Sequence, residues 1–225
     1  MKLPRIAIVK VSACGIFAKP TFKSEMVNQA LLNEEVVISD KKDNWYKIKL
    51  KHDDYSGWMH EMYLDNHDND KAYYENNLSK QIESSIVFQA CQMLGKPYLW
   101  GGRSFQGYDC SGLVQTSMSL CEIDFPRDAK DQVVSDMLYE IKINDTFEGD
   151  LIFFEKDNIV NHVAIVINLV INQDELLLEV IHASGSVKIS SIRFKSQNPL
   201  YGIVDDKPEN ESMKLYKIMR LRENV

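Results

Sequence analysis

Between Arg5 and about Leu64, apolar residues fall in short runs that alternate with polar ones, at Ile6–Val11, Glu35–Ile38, Trp45–Leu50 and Gly57–Met59. Alternation over such spans predicts β-strands, and the NE, DKKDN and HDDYSG stretches between them supply turns. This is the pattern of a small β-barrel. The stretch DNHDNDKAYYENN that follows is polar and rich in Asp and Asn, which predicts an interdomain connection. The expected division is a first domain over residues 1–66, a connection over 67–78 and a second domain over 79–225.

From Ser79 the apolar period becomes helical. Ile82, Ile86, Ala90, Met93 and Leu94 recur at helix spacing, Ser79 is placed to cap the start, and Gly95 with Pro97 ends the run. A second helix is predicted from about Cys110, with Leu113, Val114, Ser117 and Met118 on the face of the cysteine. Past the segment PRDAKDQ the chain reads as strands at Asp150–Phe154, His162–Ile171, Glu175–His182, Val187–Ile192 and Leu215–Leu221. The second domain is therefore expected to be α+β.

Composition excludes several classes. A chain of 225 residues that is 44% hydrophobic, with 10 Gly and 6 Pro, is neither disordered nor collagen-like. Its net charge of −7, without a block of Lys or Arg, argues against nucleic acid and anionic membrane surfaces and for a small-molecule partner. Cys14, Cys91, Cys110 and Cys121 form no C-x-x-C pair, so neither a zinc ribbon nor a disulfide scaffold is indicated, and a reducing compartment suits them. The apolar run Ile6–Val9 is too short for a signal-peptide core and no stretch is long enough to span a bilayer, which predicts a cytoplasmic protein.

Candidate chemistry concentrates in PYLWGGR and GYDCSGLV. A cysteine in the first turn of a helix faces unpaired N–H groups and the positive end of the helix dipole, which favours a thiolate and predicts a lowered pKa for Cys110. The Cys110 N–H could also hold an oxyanion, and Gly101, Gly102, Gly107 and Gly112 permit close backbone approach. His162 opens the run HVAIVI and His182 closes LLLEVIH, so antiparallel strands joined near Asn172–Glu175 would bring both histidines to one end of a sheet. The set Cys110, His162 and His182 reads as nucleophile, base and orienter of the base. Cys14, Cys91 and Cys121 read as packed thiols, Trp45 and Trp58 as barrel core, and His52, His60 and His67 as solvated; Tyr98 and Trp100 could be core as well. A zinc site on Cys110, His162 and His182 lacks any short-range ligand pair, and no cofactor is implied.

Taken together, PYLWGG, DCSGLV, EGDLIFF, NHVAIVI and IHASG resemble the NlpC-type cysteine peptidases of the bacterial cell wall, over about residues 90–195. The resemblance implies a papain-like α+β catalytic domain, and the domain before it resembles the bacterial SH3-like barrel often attached to that family. Carried over by motif, it makes Cys110 the nucleophile, His162 the base and later acid, and His182 the third polar residue. It puts the hydroxyl of Tyr98 near the oxyanion and turns Asp109 and Ser111 toward substrate. QALLNEEVVI and DYSGWM are similar to the subgroup that cleaves γ-D-glutamyl bonds to a diamino acid in peptides with a free N-terminal L-Ala. There a barrel glutamate and tyrosine hold the ammonium, which implies Glu34 or Glu35, and Tyr55. PRDAKDQ matches the PRD loop of the family, with Ala129 where a pocket serine often stands and Asp128 beside it. The implied activity releases L-Ala-D-Glu from peptidoglycan fragments, a recycling step in the cytoplasm. The rivals are an amidase or acyltransferase of the same fold, and a non-catalytic module that binds wall peptides.

Overall fold

The fold was obtained as a computed structural model that describes residues 5–66, 85–172, 174–205 and 212–222. The connection at 67–78, the helix start at Ser79 and Ile82, and His67 lie outside these residues. The described residues fall into two compact units, one of 5–66 with 100–104, the other of 85–99 with 105–222.

The first unit contains β1 (Arg5–Val9), β2 (Ala13–Phe17), β3 (Met26–Leu31), β4 (Glu35–Lys42), β5 (Trp45–Leu50), β6 (Ser56–His60) and β7 (Leu64–Asn66). They form one seven-stranded antiparallel sheet in the order β3-β2-β6-β5-β4-β1-β7. Every strand contributes to a single core, from Ala7 and Val9 through Cys14, Ile16, Ala30, Val36, Ile38, Ile48, Leu50 and Met59 to Leu64, so the sheet must curl around it.

The strands β2 and β3 escape the sequence pattern. In β3 two polar residues, Asn28 and Gln29, are buried, which destroys the alternation that marks a half-buried strand. Two readings of side chains also change. Trp58 is only half-buried, with the Lys47 ammonium over its ring, and so is not core. His60 is not a solvated loop residue: it stacks on Phe22, meets Trp45 edge-on, and its Nδ1 accepts the Met62 N–H.

The second unit begins with α1 (Ile86–Cys91), capped by the Ser85 hydroxyl. Two short strands, β8 (Arg103–Ser104, assigned to the first unit) and β9 (Gly107–Tyr108), precede α2 (Cys110–Ser119) and α3 (Ala129–Gln132). Then come β10 (Leu138–Ile141), β11 (Leu151–Lys156), β12 (Ile159–Ile171), β13 (Glu175–Ser184), β14 (Ser186–Lys195), β15 (Asn198–Val204) and β16 (Ser212–Leu221). The sheet order is β10-β16-β11-β12-β13-β14-β15, and β15 also pairs with β16, which closes six strands into a barrel. The unit is thus strand-dominated, with short helices on its outside.

Closure explains the near-continuous apolar runs. Odd-numbered residues such as Val163, Ile165, Ile181 and Ala183 face outward and pack with Leu113, Val114 and Met118 of α2. Even-numbered Ala164, Val166, Leu178, Val180, Ile192 and Phe194 fill the barrel. With both faces covered, both alternating sets are apolar. The barrel closes without room to spare at Gly202 of β15, where an added Cβ would lie 2.6 Å from Ile192 Cγ2 and 2.7 Å from Phe194 Cε1. Gly202→Ala is therefore expected to lower stability by about 1–3 kcal/mol, the usual cost of overpacking. The check is the denaturant midpoint at unchanged slope.

Candidate active site

The start of α2 is built from its sequence neighbours. Asp109 takes the N-cap position and its carboxylate accepts the Gly112 N–H at 2.7 Å, which ends the preceding extended chain and starts the helix with Cys110 as its first residue. Gly107 has φ +157°, and a Cβ there would meet Pro97 O at 2.8 Å and Leu99 Cβ at 2.7 Å. Only glycine lets the 97–99 segment lie this close, with Tyr108 N–H donating to Pro97 O and Leu99 N–H to Tyr108 O. On its other side that segment is tied by Tyr98 N–H to Gly185 O. Tyr98 is thereby fixed beside the helix start.

Cys110 is buried, and the backbone N–H groups of Ser111 and of Val163, the residue next to His162, lie near enough to favour its thiolate. Burial pushes the Cys110 thiol up from 9.0 to about 11, and the negative charge of Asp109 adds to the rise; those N–H groups and Arg127 oppose it without prevailing. The lowered pKa expected from a helix start is therefore not found. Fractional charges at a helix end cannot offset removal of the thiolate from water next to a carboxylate. Tyr98 is raised to about 12, chiefly by burial and then by the charges of Cys110 and Asp109. Its hydroxyl stays protonated at neutral pH and can donate to a developing oxyanion.

Asp109 and Ser111 do not stand open. Arg127, 3% exposed, binds Asp109 through two nitrogens, at 3.0 Å and 2.7 Å, and donates to Ser111 Oγ at 3.0 Å. Gln132, the last residue of α3, donates its side-chain amide to the carbonyls of Ser111 and Pro126. Arg127 and Gln132 are residues that sequence reasoning missed as site-builders, although the PRDAKDQ segment carried both. Of its other members, Ala129 begins α3, and burial raises the pKa of Asp128 above the usual carboxylate value.

The two histidines come from adjacent antiparallel strands, β12 and β13. They share the inward phase with Ala164 and Val180, and His162 Nε2 lies 2.8 Å from His182 Nδ1. With Nε2 turned to His182, a base role for His162 would fall to its Nδ1. His182 is 1% exposed and its Nε2 lies 3.0 Å from Ser190 Oγ, a further partner that the sequence did not reveal. Both histidines line a cleft of about 820 Å³ together with Glu155, Asn158, Asn161, Ser184, Tyr201 and Lys214. Glu155 and Lys214 are ion-paired on its wall.

Glu34 and Tyr55 belong to the first unit. Glu34 accepts the Leu31 N–H at 2.9 Å and forms an ion pair with Arg103, which is 4% exposed and also bonds the Gln29 carbonyl. Glu35 lies at the surface, paired with Lys51. Tyr55 donates its hydroxyl to Val27 O at 3.2 Å. Glu34 is thus already the counter-ion of a buried guanidinium, and removing it would strand that charge. Among the described residues no group of His, Cys, Asp and Glu is placed to hold a metal ion, and no helix is long and apolar enough to cross a membrane.

Residues 95–202 match the NlpC/P60 family and residues 16–64 the bacterial dipeptidyl-peptidase Sh3 domain. A γ-D-glutamyl-L-lysine dipeptidyl-peptidase of Bacillus subtilis is 34% identical over 91 residues, 39% of this chain and 30% of its own. Dipeptidyl-peptidase 6 of Lysinibacillus sphaericus is 30% identical over 147 residues, 65% of this chain and 46% of its own. The chain thus spans less than half the length of these curated relatives. The crystal structure of an NlpC/P60 family protein from Bacillus cereus shares the fold, with a TM-score of 0.67 at 19% identity, covering 96% of this chain and 99% of that one.

Two outcomes follow from the electrostatics. A thiol raised to about 11 is protonated at neutral pH, and its thiolate fraction grows only as pH approaches that value. Alkylation of Cys110 by iodoacetamide in the substrate-free protein should therefore keep rising from pH 8 to beyond 10, with no plateau below neutrality. Arg127→Ala leaves Asp109 buried without its guanidinium and should cost about 3–5 kcal/mol, read as a fall in the unfolding midpoint.

Proposed function

We propose that this chain, an NlpC/P60 domain joined to a bacterial dipeptidyl-peptidase SH3 domain, is a cysteine peptidase that cuts the γ-D-glutamyl bond to a diamino acid. Its substrates are cell-wall peptides with a free N-terminal L-Ala, from which it releases L-Ala-D-Glu. The observation that carries the reading is the presence in one unit of a helix-start cysteine, near enough to the Val163 backbone for it to act on the thiol, and the His162–His182 pair. The narrower substrate rests on the names of the relatives and on the SH3 domain. Within this reading the catalytic unit is of the papain-like α+β class, and the activity serves recycling of wall fragments in the cytoplasm.

Because the thiol is protonated at rest, attack and proton transfer are coupled. Cys110 Sγ bonds to the γ-carbonyl carbon as its proton passes to His162 Nδ1, and the oxyanion is held by the Tyr98 hydroxyl and the helix-start N–H groups. Collapse expels the amine of the diamino acid, which takes the proton from His162. Water, activated by the same imidazole, then hydrolyses the thioester and frees the dipeptide.

The test is mass spectrometry of products from L-Ala-γ-D-Glu-diaminopimelate. Release of L-Ala-D-Glu is expected from the wild type and not from Cys110→Ala, with His162→Ala slower by about 10²- to 10⁴-fold. Acetylating the substrate amine tests the amine requirement more cleanly than Glu34→Ala, which also unpairs Arg103. Equal cleavage of free and acetylated peptide would sink the dipeptidase reading while leaving a peptidase. No cleavage of either would sink both.

A further inference from the structure

His162, His182 and Ser190 stand on three neighbouring strands, β12, β13 and β14, and each step between them is a diagonal of the ladder. His182 lies opposite Lys188 and Ser190 opposite Val180, so the imidazole and the hydroxyl are offset by one inward position. In β14 the inward positions after Ser190 are Ile192 and Phe194, both filling the barrel core. A hydroxyl in that series, 7% exposed, has the His182 ring 3.0 Å away. Nothing in the apolar packing calls for it.

A neutral imidazole offers one donor and one acceptor. For His162 to accept a proton on Nδ1, its own hydrogen must sit on Nε2 and be donated to His182 Nδ1. His182 must then carry its hydrogen on Nε2, where Ser190 Oγ is the acceptor. The opposite arrangement, with Ser190 donating to His182 Nε2, puts the hydrogen of His182 on Nδ1 and that of His162 on its own Nδ1. That would leave no lone pair facing the nucleophile. We propose that Ser190 is a positioning residue for the reaction, holding His182 in the Nε2–H tautomer and through it His162 in the state that can act as base. The inference rests on the cysteine-peptidase reading, because a serine hydroxyl can donate or accept and only a base role for His162 selects this arrangement over its opposite. The arrangement also survives protonation of His162, since its Nε2–H keeps the same acceptor.

The test combines a spectroscopic and a kinetic measurement. In the ¹⁵N-labelled wild type, long-range proton–nitrogen correlation spectra of the histidine rings should show His182 as the Nε2–H tautomer. Ser190→Ala should shift it toward a mixture and lower kcat by about 10- to 100-fold with KM little changed, the size expected when a buried hydrogen-bonding group loses its partner. Ser190→Thr, which restores a hydroxyl, should recover tautomer and rate together. A wild-type His182 in the Nδ1–H form overturns the proposal, as does a Ser190→Ala variant with tautomer and kcat unchanged. Should the alanine variant fail to fold, the wild-type spectrum and the threonine variant still decide it. The tautomer needs no turnover to be read, so a wild type that cuts no peptide sinks the proposed function without touching this result.

Discussion

The pairing of β15 with β16 is the constraint on which the second unit depends. Once six strands close, inward residues must be apolar or hydrogen-bonded to one another, and outward ones covered or solvated. The outward set here carries α2, and with it Cys110; the inward set carries His162, His182 and Ser190. The nucleophile and the imidazoles thus reach the candidate site from opposite faces of one barrel wall. Val163, whose backbone N–H acts on the Cys110 thiol, is the outward neighbour of inward His162 and links the two sets.

A second constraint is the charge buried under the helix start. Asp109 caps α2, and its charge adds to the burial that chiefly raises the pKa of the Cys110 thiol. Arg127 neutralises that carboxylate with a two-nitrogen contact and binds Ser111 as well. The carboxylate that starts the helix is therefore paired within the fold and not open to solvent. The raised thiol pKa differs from the reactive thiolate that a helix N-terminus alone predicts, because desolvation by the surrounding core is larger than the attraction of the helix end.

In the first unit a comparable ion pair carries much of the polar interior. Arg103 belongs in space to that unit, though it lies far from it in sequence, and it meets Glu34 and the Gln29 carbonyl. The buried Asn28 and Gln29 that hid β3 from its pattern are part of the same polar interior. A glutamate singled out by family likeness as a ligand for ammonium thus has a structural duty as well.

What the sequence determined by itself was whatever is local or periodic. The strands of the first unit that alternate cleanly, the helix starting at Cys110 and the hairpin carrying both histidines were legible because side-chain period and capping chemistry act over a few residues. The motif residues Tyr98, Cys110, His162 and His182 were legible for the same reason, since each sits in a short, unusual string. Tertiary structure alone decided the barrel closure, the partnership of Ser190 with His182, the clamp of Arg127 on Asp109, the pairing of Arg103 with Glu34 and the direction of the Cys110 shift. Each joins residues distant along the chain, or depends on how much water the fold removes. No local pattern of polar and apolar letters encodes either quantity.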